Sequence, residues 1–391
     1  MDAMSNAQAK VPHPVFQLAY GQHSITSDIS PYVLSVTYTD YLSGQSDELE
    51  VELEDSDGRW IRAWYPGHGD QLTLKIGYAG EPLLPCGGFE IDEIEFAFPP
   101  TTVSIRALAT GVKKLVRSRV GRAYENTTLA AIAQRIAKRN HLTLTGKVRD
   151  IRIDRVTQYQ ERDVAFLTRL AREFGYAFKI VGSKLVFSEL ADLRDGQPVM
   201  TLRPGDLISI RLRDKIKEIY QEAKLKHHNP KTKKLVVYGV KNGEVAATGH
   251  TTTTAKSGKN PSSSDSLKMS GRASSRATAQ AKVQAALDQS NLEQTAGSLT
   301  LPGTPRLVAG STFDLVDCGK LSGRYLVESA RHRIDRSGGY TTDLEVKRAA
   351  LAVQQGKGTA GKKPASGLKV YGIKDNQVQV VGTTPQKGKK K

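Results

Sequence analysis

Apolar and polar residues alternate with a period of two through most of the first 110 positions. In residues 47–55, Leu49, Val51 and Leu53 fall on one side and Glu48, Glu50, Glu52 and Glu54 on the other, which predicts a half-buried strand. Similar runs at 33–38, 71–76, 89–96 and 102–107 are separated by Gly, Pro and Asp clusters, so the region reads as an antiparallel sandwich or barrel. The four glutamates read as a solvated strand face, because acids spread along a strand do not converge on a metal. From about Val116 the spacing becomes helical. Asn126, Thr127 and Thr128 supply cap residues, and Leu129, Ile132, Ala133, Ile136 and Ala137 follow on one face. A second helix opens at Asp163 as its cap, turns Phe166, Leu167, Leu170, Ala171 and Phe174 inward, and ends at Gly175. Residues 176–187 then form a hairpin about Gly182-Ser183.

Strand patterning returns at 207–212 and 218–227, is interrupted near 250–275, and resumes at 298–301, 312–316, 324–334 and 340–348 after an Ala-rich helix at about 277–289. The predicted class is mainly β with α/β insertions. Its spans are a first β-barrel-like domain at 1–110, an inserted helix-hairpin domain at 111–199, a second β-barrel-like domain at 200–350, and a tail at 351–391. The second barrel carries a basic Ser/Thr/Lys-rich insertion at about 228–276, read as a long surface loop. One internal repeat stands out: LVVYGVKNGEVAATGHT (235–251) matches LKVYGIKDNQVQVVGTT (368–384) at 8 of 17 positions without gaps. Each copy reads as two short strands about a tight turn. A lone hairpin is marginal in water, so the copies are expected to pair with each other or to add to a partner's sheet edge.

Charge sharpens this picture. Of the net +17, residues 224–276 carry +9 and residues 355–391 carry +8, which leaves the other parts of the 391-residue chain neutral in sum. Lysines in Gly/Ser/Thr-rich sequence read as solvated tethers or as contacts to an anionic partner. They lack the interleaved aromatics of a nucleic-acid-reading fold. Tyr238, Lys241, Tyr371, Lys374, Lys389, Lys390 and Lys391 are the candidate partner contacts. No run approaches the roughly 18 apolar residues of a membrane helix, and two cysteines, Cys86 and Cys318, make no disulfide scaffold. The eight histidines stand in no metal-ligand spacing, and phosphate-loop, dinucleotide and nucleophile-elbow motifs are absent from the sequence. Catalytic residues, cofactors and metals are therefore none by this reading.

Three stretches resemble a known family: YQERDVAFLTRLAREFG (159–175) with its hairpin, GSLTLPGTPRLVAG (297–310), and LSGRYLVESARHRID (321–335) running to GGYTT (338–342). They look like the late control protein D group of tailed phages, related to the hub part of type VI secretion spike proteins. The resemblance spans about residues 10–350. It implies a baseplate hub in which three chains, each with two related barrels, close a ring between a six-fold tail tube and a three-fold spike. Implied partners are the tail tube protein, a separate spike protein and the tape-measure protein, with neither membrane insertion nor nucleic acid expected. The place is a phage tail or phage-derived bacteriocin particle assembled in the bacterial host cytoplasm. A tail-associated cell-wall hydrolase and a basic nucleic-acid-binding module are the alternatives.

Overall fold

The computed structural model describes residues 12–109, 118–215, 217–229, 234–241, 265–271, 273, 275–351, 367–374 and 377–385. Its described residues are mainly strand with a few helices, and they divide into two compact units, up to Ala352 and from Val353 onward.

The first unit opens with β1 (Pro14–Tyr20), β2 (His23–Ser24), the single-turn helix α1 (Thr26–Ile29), β3 (Val33–Tyr41), β4 (Glu48–Glu54), β5 (Gln71–Tyr78), β6 (Leu84–Ala97) and β7 (Thr102–Ala109). These strands pair antiparallel in the order β3-β4-β7-β6-β5-β1-β2. The period-two pattern explains the packing. Leu49, Val51 and Leu53 are buried with Leu72, Leu74, Ile76 and Phe89 in one core. Across from them, Ser104 and Ser35 donate to Glu50 and Glu52, and Arg106 pairs with Glu48, so the glutamate row is a cross-strand hydrogen-bonding face.

A helix-hairpin region follows: β8 (Arg119–Thr128), α2 (Leu129–Arg139), β9 (Thr143–Thr145), β10 (Arg152–Arg162), α3 (Asp163–Phe174), β11 (Tyr176–Val181), β12 (Lys184–Glu189) and α4 (Leu190–Asp195). Thr128 caps α2 by accepting from the Ala131 N–H at 3.2 Å. Gly175 ends α3 in the left-handed conformation, φ +78. Asp163 departs from its expected capping role. Arg162 is the cap position, and the buried Asp163 carboxylate instead accepts from Arg139, Asn140 and Gln158. Burial raises its pKa, but these three donors outweigh burial and hold it below the usual carboxylate range. The helical faces of α2 and α3 close a core over β11 and β12.

The chain continues through β13 (Thr201–Leu202), β14 (Ser209–Asp214), β15 (Glu222–Asn229), β16 (Lys234–Lys241), β17 (Ser266–Ser270), α5 (Arg276–Leu292), β18 (Thr295–Pro302), β19 (Thr312–Leu315), β20 (Gly323–Asp335) and β21 (Gly339–Leu351). The stretch read as a surface loop contains ordered strands. β16, β15 and β17 form a small sheet whose Ala223, Leu225 and Val240 pack on Ala279, Val283 and Leu287 of α5. Apolar alternation on those strands outweighs the lysines, of which Lys226, Lys241 and Lys268 are exposed. α5 also packs on the helix-hairpin core: Thr278 Oγ1 donates to the Arg152 carbonyl at 2.9 Å, and Lys282 meets Glu173 at 2.5 Å.

β14, β18, β21 and β20 run antiparallel in that order, with β19 on part of β20 and β13 on β19. The order β14-β18-β21-β20-β19 repeats β3-β4-β7-β6-β5, element for element and with every neighbour antiparallel. Only the outer strand differs, β13 lying parallel to β19 where β1 is antiparallel to β5. The two sets have separate cores. They are joined by β20 and β3 into one 13-stranded sheet.

The second unit is described at β22 (Gly367–Lys374) and β23 (Gln377–Pro385), an antiparallel pair. The second repeat copy thus forms a hairpin of its own. The first strand of the other copy, β16, pairs with β15, and its remaining residues lie outside those described.

Candidate functional site

The join between the two strand sets is where β20 meets β3. Residues 329–335 of β20 run against residues 35–41 of β3, with Ser329 opposite Tyr41 and Asp335 opposite Ser35. His332 lies at its centre, 1% exposed, stacked on Tyr38 with centroids 6.1 Å apart. Its Nε2 is 3.1 Å from the Leu307 carbonyl, and its Nδ1 is 3.0 Å from the Tyr340 hydroxyl and 3.2 Å from that of Thr342. A neutral ring that donates from Nε2 to the Leu307 carbonyl has one lone pair at Nδ1 to accept from a neighbouring hydroxyl. Burial pushes its pKa down to about 4, against the attraction of Asp40.

Asp40 ties three regions together. It accepts from the Ala309 N–H at 2.9 Å and from Lys179 Nζ at 2.6 Å. Lys179, on β11, reaches Asp47 as well at 3.2 Å. Burial pushes Asp47 up to about 6 although the Lys179 ammonium opposes it. Burial would lower Lys179, but the two carboxylates outweigh it and hold the ammonium above its usual value. Ser43 adds a backbone clasp, its Oγ donating to the Phe178 carbonyl and accepting the Phe178 N–H. Sequence reasoning singled out none of Asp40, Asp47 and Lys179. The available signal was Lys179 as a lone charge within the apolar run 176–181.

The face of the joined sheet turned away from the cores is polar. A depression of about 460 Å³ spans the join, lined by Thr37, Thr39, Glu48, Glu50, Arg331 and Asp343 among others. At the other side of the first core, Trp60 packs edge-on against Trp64 at 5.3 Å, and the Arg59 guanidinium lies 4.3 Å over Tyr32. This aromatic loop borders an apolar cavity of about 330 Å³. Among the described residues, no group of three or more His, Cys, Asp or Glu side chains converges to hold a metal, and no helix is long and apolar enough to cross a membrane.

Of the candidate contacts, Tyr238 is half-buried against the α5 sheet, and Lys241 stands exposed at the end of β16 opposite Glu222. Tyr371 and Lys374 lie on β22, whose ladder sets Tyr371 opposite Val380 and Lys374 opposite Gln377. Lys389, Lys390 and Lys391 lie outside the described residues.

Residues 112–338, more than half of the chain, match the phage tail baseplate hub (GPD) family. The chain belongs to the phage tail baseplate hub family. It is 36% identical over 199 residues to a probable baseplate hub protein of Escherichia phage 186, covering 49% of this chain and 50% of that one. A probable baseplate hub protein of Escherichia phage P2 is 34% identical over 201 residues, covering 51% and 50%. The chain thus matches about half the length of these curated relatives. In fold, it is similar to the 43 kDa tail protein of prophage MuSo2 from Shewanella oneidensis, with TM-score 0.63 and 16% identity over 86% of this chain and 98% of that one. For a hub-family chain, a polar sheet face and a bonded join between two like strand sets are the features a function must use.

Proposed function

We propose that this chain is the structural hub of a contractile-tail baseplate, in a phage or a phage-derived bacteriocin particle. In this reading three copies close a ring that adapts the six-fold tail tube to a three-fold spike made by a separate polypeptide. The observation that carries it is the repeated strand order within one chain, β3-β4-β7-β6-β5 followed by β14-β18-β21-β20-β19, fused edge to edge. Three such chains offer six like units to a six-fold partner and three chain-specific surfaces to a three-fold one. In this reading the two barrel-like domains are 1–110 and 200–350, the helix-hairpin domain is 111–199, and the tail is 351–391. The role is mechanical and asks for no covalent step. The polar sheet face suits a water-filled channel better than a packed interface.

Tyr238, Lys241, Tyr371, Lys374 and the terminal lysines 389–391 are assigned to contacts with neighbours in the particle, the tape-measure protein among them. Assembly takes place in the host cytoplasm. Quantitative mass spectrometry of gradient-purified tail particles tests the reading. About three copies per particle are expected, and absence from otherwise complete particles would overturn it.

A further inference from the structure

β8 and β10 pair with each other and with no other described strand, so they form a ribbon laid against the helix-hairpin core. Tyr124 and Ile153 are buried in that core, and Val156 packs against it. The remaining side chains are mostly exposed, and many are charged. The acids among them already have cations. Glu125 meets Arg155 at 3.4 Å, Asp154 meets Arg152 at 4.0 Å, and Glu161 meets Arg169 of α3 at 2.6 Å. Arg119, Arg122 and Arg162 are exposed, and among the described residues no carboxylate pairs with any of them. The ladder nevertheless sets Arg119 directly opposite Arg162. Like charges facing each other across two strands are destabilising, and no described acid offsets this pair.

Beside the two arginines the ladder is interrupted. Arg122 faces Gln158 and Val120 faces Glu161, so Tyr159 and Gln160 bulge from β10 against Gly121 alone, with Gln160 at φ +47. A bulge of this kind re-aims the side chains it carries. Gln158 stays inside, fully buried, its Nε2 donating to Asp163 Oδ1 at 2.8 Å and to the Glu161 carbonyl at 3.0 Å. Tyr159 is turned out, 81% exposed. The Gln160 amide lies 3.4 Å from where a Cβ on Gly121 would stand, so the bulge is seated on the segment that carries Arg119 and Arg122. An exposed tyrosine and a facing pair of arginines thus share one end of the ribbon. These are residue types enriched where protein interfaces concentrate their binding energy.

We propose that this end of the ribbon docks a protein segment that presents two neighbouring carboxylates beside an apolar side chain. The carboxylates meet Arg119 and Arg162 and remove the repulsion between them. The apolar side chain lies on Tyr159. A nucleic-acid backbone fits less well. Residues 119–128 and 152–162 hold five arginines and three acids, net +2, whereas binding a polyanion by charge draws on roughly 6–10 phosphate contacts. Glu125 and Asp154 would repel a uniformly negative strand, but they suit a protein surface of mixed charge. The proposal goes beyond the hub reading and rests on it only for where the neighbour is met, in the assembled particle.

Arg119→Glu in the full chain separates a binding role from a structural one, because the two have opposite signs. The acid it places opposite Arg162 should leave the urea midpoint unchanged or raised. When the variant and parent are co-expressed during assembly, its share of purified particles should nevertheless fall roughly fivefold or more. Tyr159→Ala should lose share in the same way without a change in midpoint. Replacing Tyr159 by photoreactive benzoylphenylalanine and irradiating purified particles should then link the chain to a neighbouring protein, at a peptide with two or more Asp or Glu close together. Exchanging those acids for lysine should restore the share of Arg119→Glu. Equal incorporation of both variants, or a link to a peptide without paired acids, would overturn the proposal and leave the hub reading standing. A link that nuclease removes would overturn it in favour of nucleic acid. Absence of the parent chain from complete particles would overturn the hub reading, and the neighbour proposed for this ribbon with it.

Discussion

Burial shifts His332 and Asp47 in opposite senses, and the sign of each decides how the fold answers acid. His332 titrates near 6.5 when unfolded and near 4 when folded. Its contribution is therefore present above pH 6.5 and is lost as pH falls toward 4. Asp47 titrates near 3.8 when unfolded and near 6 when folded, so the native state holds a proton that the unfolded chain has released. Its contribution rises as pH falls from about 6 toward 3.8, and the two partly cancel in that window. His332→Gln removes the first and leaves the second. Between pH 7 and pH 5 the variant should lose about 2 kcal/mol less stability than the parent. Urea unfolding at both values checks this, and an unchanged pH dependence would show that His332 is not the acid-sensitive group. In the sequence His332 was legible only as a histidine outside any ligand spacing. Its burial depends on strands nearly 300 positions apart meeting at Tyr38, which no local pattern records.

Among the elements, strand and helix positions were legible wherever one face is buried, because alternation in β4 or β5 and the 3.6 spacing in α2 and α3 are consequences of that burial. β8 and β10 went unread for the same reason. They form a two-stranded ribbon with most side chains in solvent, so no alternation marks them, and residues after Val116 look helical until α2 itself begins. The stretch 297–310 that resembled a family has a physical account in its glycines. A Cβ on Gly297 would lie 2.0 Å from the Arg211 carbonyl oxygen, and one on Gly303 would lie 2.1 Å from the Tyr340 ring. Gly297→Ala should push β14 off β18 and cost about 3 kcal/mol, read as a lowered urea midpoint with an unchanged slope. Wild-type stability would mean that β14 shifts without resistance. Lys179→Met tests the clasp between β11 and the β3–β4 turn by leaving Asp40 and Asp47 buried without their cation. A loss of roughly 3–5 kcal/mol is expected, with most of it recovered when both carboxylates are also made Asn. No recovery would show that packing of the lysine stem, and not charge, holds the join.

At the scale of the whole molecule, two readings from the sequence depended on repetition, and they fared differently. The gapless repeat at 235–251 and 368–384 was visible as letters. Its copies nevertheless occupy different settings, β16 on the α5 sheet and β22 in a hairpin with β23. The repetition of strand order, which organises the body of the protein, left no letters in common that sequence reading could find, since β3 corresponds to β14 only through the order of paired strands. Charge divides the molecule in the same way. The four described cores all lie before residue 352, whereas residues 355–391 carry +8. A chain ending at Leu351 therefore removes charge and a hairpin but no side chain of the four described cores. Its urea midpoint should match that of the full chain, and its native mass should report the same number of copies as the full chain does. If Tyr371, Lys374 and the terminal lysines bind a neighbour in the particle, the truncated chain should be outcompeted by the full chain when both are present during assembly, and copy counts in purified particles would record the ratio. Equal incorporation and full infectivity or killing would remove the tail from the contact surface and leave solubility as its effect. A lowered midpoint would instead place residues 352–391 in the stability of the body.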